Sequence, residues 1–343
     1  MARNRLAGQA ALGHRSQTEP EDPMRLARRA LLAAPLALGL APAIAQDNWP
    51  NRTIRIVVPF APGGSGDITA RLVGKHIEDK TGQPVVVENK PGANGLIGVA
   101  AAKTAPPDGY TLLLATTSTH AANPSLYKNP GYDPQKDFQL VGVIGGSGTA
   151  LVVSADSPYR KLEDLIADAK ARPGKLFFGH FNASSHVPSE VLAERAGVQW
   201  TAVAYRAIGN AWNDLFAGNI QFFFVDLTAS RGHIVAGKVR PLAISLEERH
   251  PLYPAVPTVA EFHPGFNTSG MLALAVPAGT PPAVAQRLND LINEAILSPA
   301  IAPKLDDFGL RVRRHTLAEA DERGRVERAK WAEYIRIARI EPQ

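Results

Sequence analysis

Short runs of β-branched residues alternate with helical patterns through the first part of this chain. The strand-like runs cover residues 53–58, 85–88 and 111–115, and apolar residues recur at helical spacing over residues 67–80 and 96–103. Strands that alternate with helices are typical of a sheet whose strands are joined by crossover helices. The pattern therefore predicts an α/β fold.

A second set of strands and helices follows Gly145, and this restart predicts a second α/β lobe. Its strands are predicted at residues 150–154, 175–179, 221–225 and 239–245, and its helices at 161–170, 189–196, 207–216 and 229–236. The chain then returns through a strand at 268–276 to the first lobe, on which helices at 281–298 and 317–337 pack. Two crossings predict a discontinuous first lobe, residues 46–146 and 268–343, and a second lobe, residues 147–267.

The start of the chain has the layout of a secretory signal peptide. Arginines at positions 25, 28 and 29 precede an apolar run over residues 31–40 and a small-residue triplet that ends at Ala45. The apolar run is about half as long as a membrane-spanning helix. We therefore assign residues 24–45 to a signal peptide cleaved near Ala45 and Gln46, place the mature protein in the periplasm, and interpret residues 1–23 as a misassigned N-terminal extension. The Sec and twin-arginine export routes both stay open.

Composition excludes several classes of site. The 343 residues include no cysteine, so the chain forms no disulfide and no thiolate metal site. Without residues 1–45, 31 basic residues face 29 acidic ones, which is not the footprint of a nucleic-acid-binding protein. The sequence contains no Walker loop, dinucleotide fingerprint, His-Glu-x-x-His or Gly-x-Ser-x-Gly motif. We expect a monomer with no cofactor, no metal, no nucleic-acid partner and no enzymatic activity.

A glycine-rich loop, Ala61-Pro62-Gly63-Gly64-Ser65-Gly66-Asp67, joins the first predicted strand to the first predicted helix. Asp67 is predicted to cap this helix. Glycines let backbone amides approach a ligand closely, and a helix N-terminus carries about half a positive charge. The loop is therefore a candidate site for a carboxylate or a phosphate. The alternative is that the glycines only form a tight turn.

Two further polar segments follow predicted strands. Thr116-Thr117-Ser118-Thr119-His120 comes just after the strand at 111–115, and Asn182-Ala183-Ser184-Ser185-His186 follows the strand at 175–179. Ligands of open α/β sheets bind beyond the carboxyl ends of strands, so these hydroxyl groups are placed to bind an oxyanion. The alternatives are a capped loop for the first segment, a helix-capping role for Ser184 or Ser185, and a surface or core position for His186.

Several ordered segments between residues 49 and 340 match a known pattern. They include Pro107-Asp108-Gly109-Tyr110-Thr111-Leu112-Leu113 and the segments at residues 56–67, 84–93, 123–127, 132–138, 256–259 and 277–281. Through these segments the chain resembles the Bug family, the TctC-like extracytoplasmic solute receptors of tripartite tricarboxylate transporters.

The resemblance implies a type II periplasmic-binding-protein fold, in which two α/β lobes surround a hinge and a ligand cleft. It also implies that the loops at 62–67 and 182–186 close on a small carboxylate and that Thr117 and Ser118 add contacts. We add Asn123, Tyr205 and Asp226 to the predicted site. The implied partners are the carboxylate and the membrane subunits of a tripartite tricarboxylate-type transporter.

The chain departs from its relatives where the far end of the ligand is expected to bind. It has Tyr205-Arg206-Ala207-Ile208 where relatives have Tyr-Lys-Gly-Ser, and Phe224-Val225-Asp226 where they have Phe-Asp-Asn. Ile208 and Val225 favour a ligand with a less polar tail, with Asp226 as a substitute for the missing aspartate. A receptor that serves a signalling system and an enzyme on the same fold stay open as alternatives.

Overall fold

A computed structural model describes residues 49–343. The predicted signal peptide, residues 24–45, its cleavage site and the N-terminal extension, residues 1–23, lie outside the described residues. None of the helices between residues 49 and 343 has the length and hydrophobicity of a membrane span. Strands and helices alternate over most of this length, which confirms the predicted α/β class.

The first sheet has five strands in the order β2-β1-β3-β10-β4. They are β1 (Ile54–Val58), β2 (Val85–Asn89), β3 (Thr111–Thr116), β4 (Phe138–Gly145) and β10 (Leu272–Pro277). β1 pairs in parallel with β2 and β3, whereas β10 runs antiparallel to β3 and β4. Every residue of β3 is buried, as expected for a strand that is covered on both faces.

Helices cover both faces of this sheet. They are α1 (Ser65–Thr81), α2 (Leu96–Lys103), α3 (Asn123–Leu126), α8 (Pro282–Leu297), α9 (Ala302–Asp307) and α10 (Leu317–Ile337). Val73 of α1 and Leu288 of α8 share an apolar cluster with Ile56 of β1, whereas Val99 of α2 packs with Val57. Burying side chains of this size contributes about 1.5–3 kcal/mol each, and it fixes where the loop between β1 and α1 lies.

A second group of strands follows β4. β5 (Thr149–Ser154), β8 (Phe223–Asp226) and β9 (Val239–Ile244) form an antiparallel sheet, and β6 (Phe177–His180) pairs in parallel with β7 (Thr201–Ala204). A bridge between Phe178 and Phe222 connects the pair to the sheet. The helices here are α4 (Leu162–Ala171), α5 (Ala183–Ala196), α6 (Ile208–Ala217) and α7 (Leu227–Val235). The first lobe is the part built on the first sheet, and the second lobe is the part built on these strands.

Two connections join the lobes. The chain passes from Gly145 of β4 to Thr149 of β5, and it returns from Ile244 of β9 to Leu272 of β10. β10 enters the first sheet between β3 and β4, so the first sheet contains residues from both sides of the second lobe. The predicted boundaries at 146/147 and 267/268 fall within these connections and stay predictions.

Several features differ from the predictions. The sequence did not predict β4 or β7, and α5 begins at Ala183 rather than near Ser189, because Asn182 caps it. The last helix, α10, does not pack on the first lobe alone. Trp331 of α10 shares an apolar cluster with Phe178 of the second lobe, so α10 contacts both lobes.

Candidate functional site

A cavity of about 80 Å³ lies between the two lobes. This space exceeds the roughly 10–15 Å³ that one water molecule needs, so a small solute head group fits. Eleven of the residues predicted to bind ligand line it: Ala61, Gly64, Ser65, Gly66, Asp67, Thr116, Thr117, Ser118, Asn182, Ser184 and Asp226. The sequence therefore identified segments that the fold brings together from positions more than 160 residues apart, as in the bond between Ser65 and Asp226.

A second cavity of about 850 Å³ adjoins the first and shares Phe60, Phe181 and Arg206 with it. The predicted residues Ala183, His186 and Tyr205 line this second cavity. Four other predicted residues, Pro62, Gly63, Asn123 and Ser185, line neither of these two cavities.

Helix α1 begins inside the glycine-rich loop. Gly64 is its N-cap, so the prediction that Asp67 caps α1 is wrong. The first helical hydrogen bond runs from the Ile68 amide to the Gly64 carbonyl at 3.1 Å, and the amides before Ile68 have no helical acceptor. Gly66 lies against β3, because a Cβ atom there would be 2.5 Å from Leu114 Cδ2. The loop thus holds free amides close to the carboxyl end of the sheet.

The Gly63 amide and the Asp67 carboxylate bond to each other and stabilise this turn, so these two groups are not free to bind a ligand. Gly63 has φ +83°, and its amide donates to Asp67 Oδ2 at 3.0 Å. Arg71 Nη2 lies 2.9 Å from Asp67 Oδ1. Burial opposes ionisation of Asp67, but the bonds from Arg71 and the Gly63 amide outweigh it, so its pKa lies below the usual value. Asp67 is therefore a paired carboxylate that fixes the loop.

Four helices begin at this cavity. The N-caps of α1, α5, α6 and α7 are Gly64, Asn182, Ala207 and Asp226, and all four residues line the cavity. α1 belongs to the first lobe and the other three to the second. Because each N-terminus presents free amides and about half a positive charge, the convergence creates a positive potential between the lobes. An anionic head group suits this position.

The loop between β6 and α5 divides its polar groups between the helix and the cavity. Asn182 Oδ1 accepts a hydrogen bond from the Ser185 amide at 2.9 Å, and Ser185 Oγ accepts from the Asn182 amide at 3.2 Å. The hydroxyl of Ser185 therefore caps α5, which was the alternative to a ligand role. Ser184 lies in the first turn of α5 and lines the cavity.

His186 and Tyr205 line the second cavity and not the first. The ring of His186 stacks on that of His180 with 4.3 Å between centroids, and its Nε2 lies 3.6 Å from Glu190. The Tyr205 hydroxyl donates to Asp214 Oδ2 at 2.6 Å. These side chains shape the second cavity.

The segment after β3 likewise contains both residues that line the cavity and residues that pack in the core. The Met271 amide donates to Thr117 Oγ1 at 2.7 Å, so the hydroxyl of Thr117 joins the end of β3 to the segment before β10. Ser118 lines the cavity and is nearly fully buried. His120 packs against Phe138, and burial, with a smaller effect of Arg328, lowers its pKa to about 3. His120 is therefore a neutral core residue.

Asp226 places a carboxyl group at the cavity wall. Ser65 Oγ donates to Asp226 Oδ2 at 3.1 Å, which joins the two lobes across the cavity. Burial raises the pKa of Asp226 above the ordinary value, although the Ser65 bond partly opposes this. Val225, where relatives are expected to have an aspartate, is 1% exposed and packs in the core of the second lobe. The polar position at this wall is thus Asp226.

Several residues of the two cavities were not in the predicted site, and three of them bear on how it works. Asn94 Oδ1 accepts from the Ala183 amide of the other lobe at 3.1 Å, and its Nδ2 donates to Asn123 Oδ1 at 2.7 Å, so Asn123 positions Asn94. Arg206 is exposed and lines both cavities. Its position next to Tyr205, a predicted site residue, was the sequence signal that could have identified it. Thr268 lines the first cavity, and its buried hydroxyl has no hydrogen-bond partner within residues 49–343. No local pattern indicated Asn94 or Thr268.

Metal ligands do not gather at these cavities. In the part of the chain that the structure describes, no group of three or more His, Asp or Glu side chains is placed to hold a metal ion. The polar groups that line the first cavity are amides, hydroxyls, two carboxyls and the guanidinium of Arg206, and they are suited to binding through hydrogen bonds.

Three solved structures resemble the whole described fold. Rpa4515 of R. palustris, solved with adipate, is 32% identical with a TM-score of 0.83, and the match covers 86% of this chain and 100% of that one. The periplasmic binding protein BugD is 30% identical with a TM-score of 0.81 over 86% and 100% of the chains. MatC (Rpa3494) of Rhodopseudomonas palustris, solved with malate, is 28% identical with a TM-score of 0.79 over 84% and 100%. They confirm the predicted type II periplasmic-binding-protein fold.

The family match agrees with these structures. The model of the tripartite tricarboxylate transporter family receptor, TctC, matches residues 69–335, which include the helices α5, α6 and α7 that begin at the cavity and most of α1. The predicted resemblance to the Bug and TctC receptors is confirmed, and the chain belongs to the tripartite tricarboxylate transporter receptor family.

Proposed function

We propose that this chain is a periplasmic receptor that captures a small carboxylate and delivers it to the membrane subunits of a tripartite tricarboxylate-type transporter. The observation that carries the proposal is the convergence of four helix N-termini, one from the first lobe and three from the second, on one cavity. A carboxylate held there contacts both lobes and therefore favours the closed arrangement.

The cavity walls suggest which carboxylate binds. Phe60, Phe181, Ile208 and Met271 provide apolar surface between the polar groups, which suits a short aliphatic chain. Arg206 lies where the first cavity meets the second and supplies a guanidinium for a second carboxylate. We propose an aliphatic dicarboxylate, in the range of the adipate and malate that the two similar structures hold.

Binding without turnover is part of the proposal. A ligand of ten heavy atoms bound at about 1 μM requires about −8 kcal/mol, or about −0.8 kcal/mol per atom, which small ligands achieve without covalent or metal contacts. Amides and hydroxyls at the cavity are sufficient for such an affinity. We propose that the receptor acts as a monomer.

A thermal-shift titration tests the ligand class. Adipate and malate are compared with 1,6-hexanediol, which has the length of adipate but no charge. A ligand that binds only the folded state stabilises it in proportion to the logarithm of its concentration, so we expect a dicarboxylate to raise Tm and the diol to leave it unchanged. If no di- or tricarboxylate raises Tm, the proposal is wrong.

A serine substitution tests the site itself. Ser184→Ala removes a hydroxyl at the first turn of α5 and should weaken dicarboxylate binding by about 1–3 kcal/mol. Ser189→Ala is the control, because its hydroxyl donates to the Ser185 carbonyl at 3.0 Å in the same helix and it lines neither cavity. Calorimetric titration should show a weaker Kd only for Ser184→Ala, and equal affinities would exclude Ser184 from the site.

A further inference from the structure

A third cavity, of about 270 Å³, adjoins the two connections between the lobes. Gly146, Ser147 and Ser269 of the connections line it, and Ser147 also lines the ligand cavity. Arg311 and Arg313, which follow α9, and Arg323 of α10 form the remaining charged wall. We refer to this space as the hinge cavity.

The hinge cavity carries an excess of positive charge. Arg323 Nη2 lies 2.9 Å from Glu327 Oε1, but Lys330 Nζ lies 2.9 Å from the other oxygen of the same carboxylate. One acid is thus shared between two cations. Within residues 49–343, Arg311 and Arg313 form no ion pair within 4.0 Å. Three guanidinium groups therefore face one space that contains too few acids to neutralise them.

Backbone pairing holds these walls in place. The Gly146 amide donates to the Arg311 carbonyl at 3.2 Å, and the Arg311 amide donates to the Gly146 carbonyl at 2.9 Å. Asn293 bonds to both the amide and the carbonyl of His315, at 3.0 and 2.8 Å. The arginines thus extend from a fixed backbone, so only their side chains need to be ordered when a ligand binds.

The pKa values of two buried histidines are lowered in part by this positive charge. His315 is 6% exposed, and its Nδ1 has no hydrogen-bond partner among the described residues. Burial lowers the pKa of His315, and the charges of Arg313 and Arg323 lower it further. Burial also lowers the pKa of His250, and Arg311 adds to that effect. Both histidines line the hinge cavity.

We propose that the hinge cavity is a second anion site, separate from the carboxylate cavity, that binds a small multivalent oxyanion of the phosphate type. Guanidinium groups bind such anions through paired N–H donors, and 270 Å³ accommodates an ion of this size. Because its walls include both connections between the lobes, its occupancy depends on the angle between them. Binding at the hinge cavity is therefore coupled to binding at the carboxylate cavity.

Titration of inorganic phosphate into the purified receptor, followed by calorimetry, tests this site. Arg311→Gln and Arg313→Gln each remove one charged donor, and each should weaken phosphate binding about tenfold, the equivalent of 1.4 kcal/mol. Arg314→Gln is the matched control, because Arg314 is next in sequence but lines a different surface cavity. All three side chains are exposed, and an unchanged Tm confirms that each variant folds.

The remaining outcomes separate this site from the carboxylate cavity. Phosphate affinity should be the same in Ser184→Ala as in the original chain, and the titration needs no dicarboxylate, so it is decided even if the proposed function fails. Equal losses in Arg314→Gln would show general attraction to a basic surface and would overturn the proposal. Loss in Ser184→Ala, or no loss in Arg311→Gln and Arg313→Gln, would place the phosphate elsewhere and overturn it as well.

Discussion

Single residues at the carboxylate cavity mainly modify the positive potential that the backbone amides of the helix N-termini create. Asp67 and Asp226 both place carboxyl groups there, but they differ in their partners. Asp67 is paired with Arg71, whereas Asp226 accepts one hydrogen bond, from Ser65, and its pKa is raised. An ionised Asp226 is therefore the group whose charge most directly opposes an anionic ligand.

Asp226→Asn is expected to stabilise the protein at neutral pH. Because the folded pKa of Asp226 lies above the ordinary value of 3.8, the folded state binds more protons between the two values. The stability that this group contributes is present below pH 3.8 and is lost as pH rises through the folded pKa. The asparagine has a similar shape and no charge, so its Tm should exceed that of the original chain at pH 7 and match it near pH 3.5.

Binding should change in the same direction. Because asparagine cannot ionise, Asp226→Asn should bind a dicarboxylate at least as tightly as the original chain at pH 7. Asp156→Asn, at an exposed position, is the control and should alter neither Tm nor Kd. A lower Tm for Asp226→Asn at pH 7 would contradict the role assigned to burial.

Thr268→Val is expected to raise the free energy of unfolding by about 1 kcal/mol. The Thr268 hydroxyl is buried without a hydrogen-bond partner in the described part of the chain, and burying an unpaired hydroxyl is costly. Valine has the same shape without the polar group. Thr258→Val serves for comparison: Thr258 is as buried, but its hydroxyl accepts from the Glu261 amide at 3.2 Å, so that change should cost about 1 kcal/mol. Urea unfolding measures both values.

At the scale of elements, the sequence predicted those with strong periodicity and missed those that depend on packing. β3 and α1 have continuous or regular apolar patterns, and both were predicted within two residues of their ends. β4 contains Gly142, where a Cβ atom would lie 2.7 Å from Ile292 of α8. This glycine is therefore needed for packing against a helix that is distant in sequence. β7 has four residues, of which three are exposed, and it offers no clear alternation.

The candidate site was predictable for a similar reason. The loops after β1, β3 and β6 directly follow recognisable strands, and ligands bind at the carboxyl ends of strands. Asn94 and Thr268 reach the site through the path of the chain, which no local pattern encodes. The predicted N-cap of α1 was wrong. Asp67 is a favoured capping residue, but it lies within the first turn and accepts a hydrogen bond from the Gly63 amide.

Two helix glycines should respond in opposite ways to alanine. In α2, a Cβ atom at Gly98 would lie 2.6 Å from Pro59 Cα, so Gly98→Ala must separate α2 from the segment after β1 and should destabilise the protein by about 1–3 kcal/mol. Gly232 of α7 has no atom within 4 Å of that position. Gly232→Ala should therefore stabilise the protein by about 0.5–1 kcal/mol, because alanine favours the helix. Equal effects in chemical unfolding would reject the packing argument.

For the whole molecule, several contacts join the two lobes. Besides Ser65 and Asp226, the Thr228 hydroxyl donates to the Phe308 carbonyl at 2.9 Å, and α10 packs its Trp331 against residues of the second lobe. These contacts and the ligand favour the same state. Affinity therefore depends on the fraction of molecules that are closed as well as on the cavity itself.

A substitution at Asn94 should weaken the closed state without changing the residues that line the first cavity. Asn94 lies outside that lining, and its side chain connects Asn123 to the Ala183 amide of the second lobe. Its φ of 51° lies in the left-handed region, so Asn94→Gly removes the side chain without straining the backbone. The loss of one hydrogen bond of about 1 kcal/mol from the closed state should weaken dicarboxylate binding about fivefold.

Scattering distinguishes this effect from damage to the cavity. If Asn94 acts on closure, the ligand-free Asn94→Gly protein should show a larger radius of gyration in small-angle X-ray scattering, and saturating dicarboxylate should restore the original value. Asn129→Gly removes a side chain that bonds only the nearby Gly131 amide, and it should change neither quantity. A weaker Kd with an unchanged radius would mean that Asn94 supports the cavity walls. Because the ligand is expected to bridge the lobes, its affinity should follow the closed population across such variants.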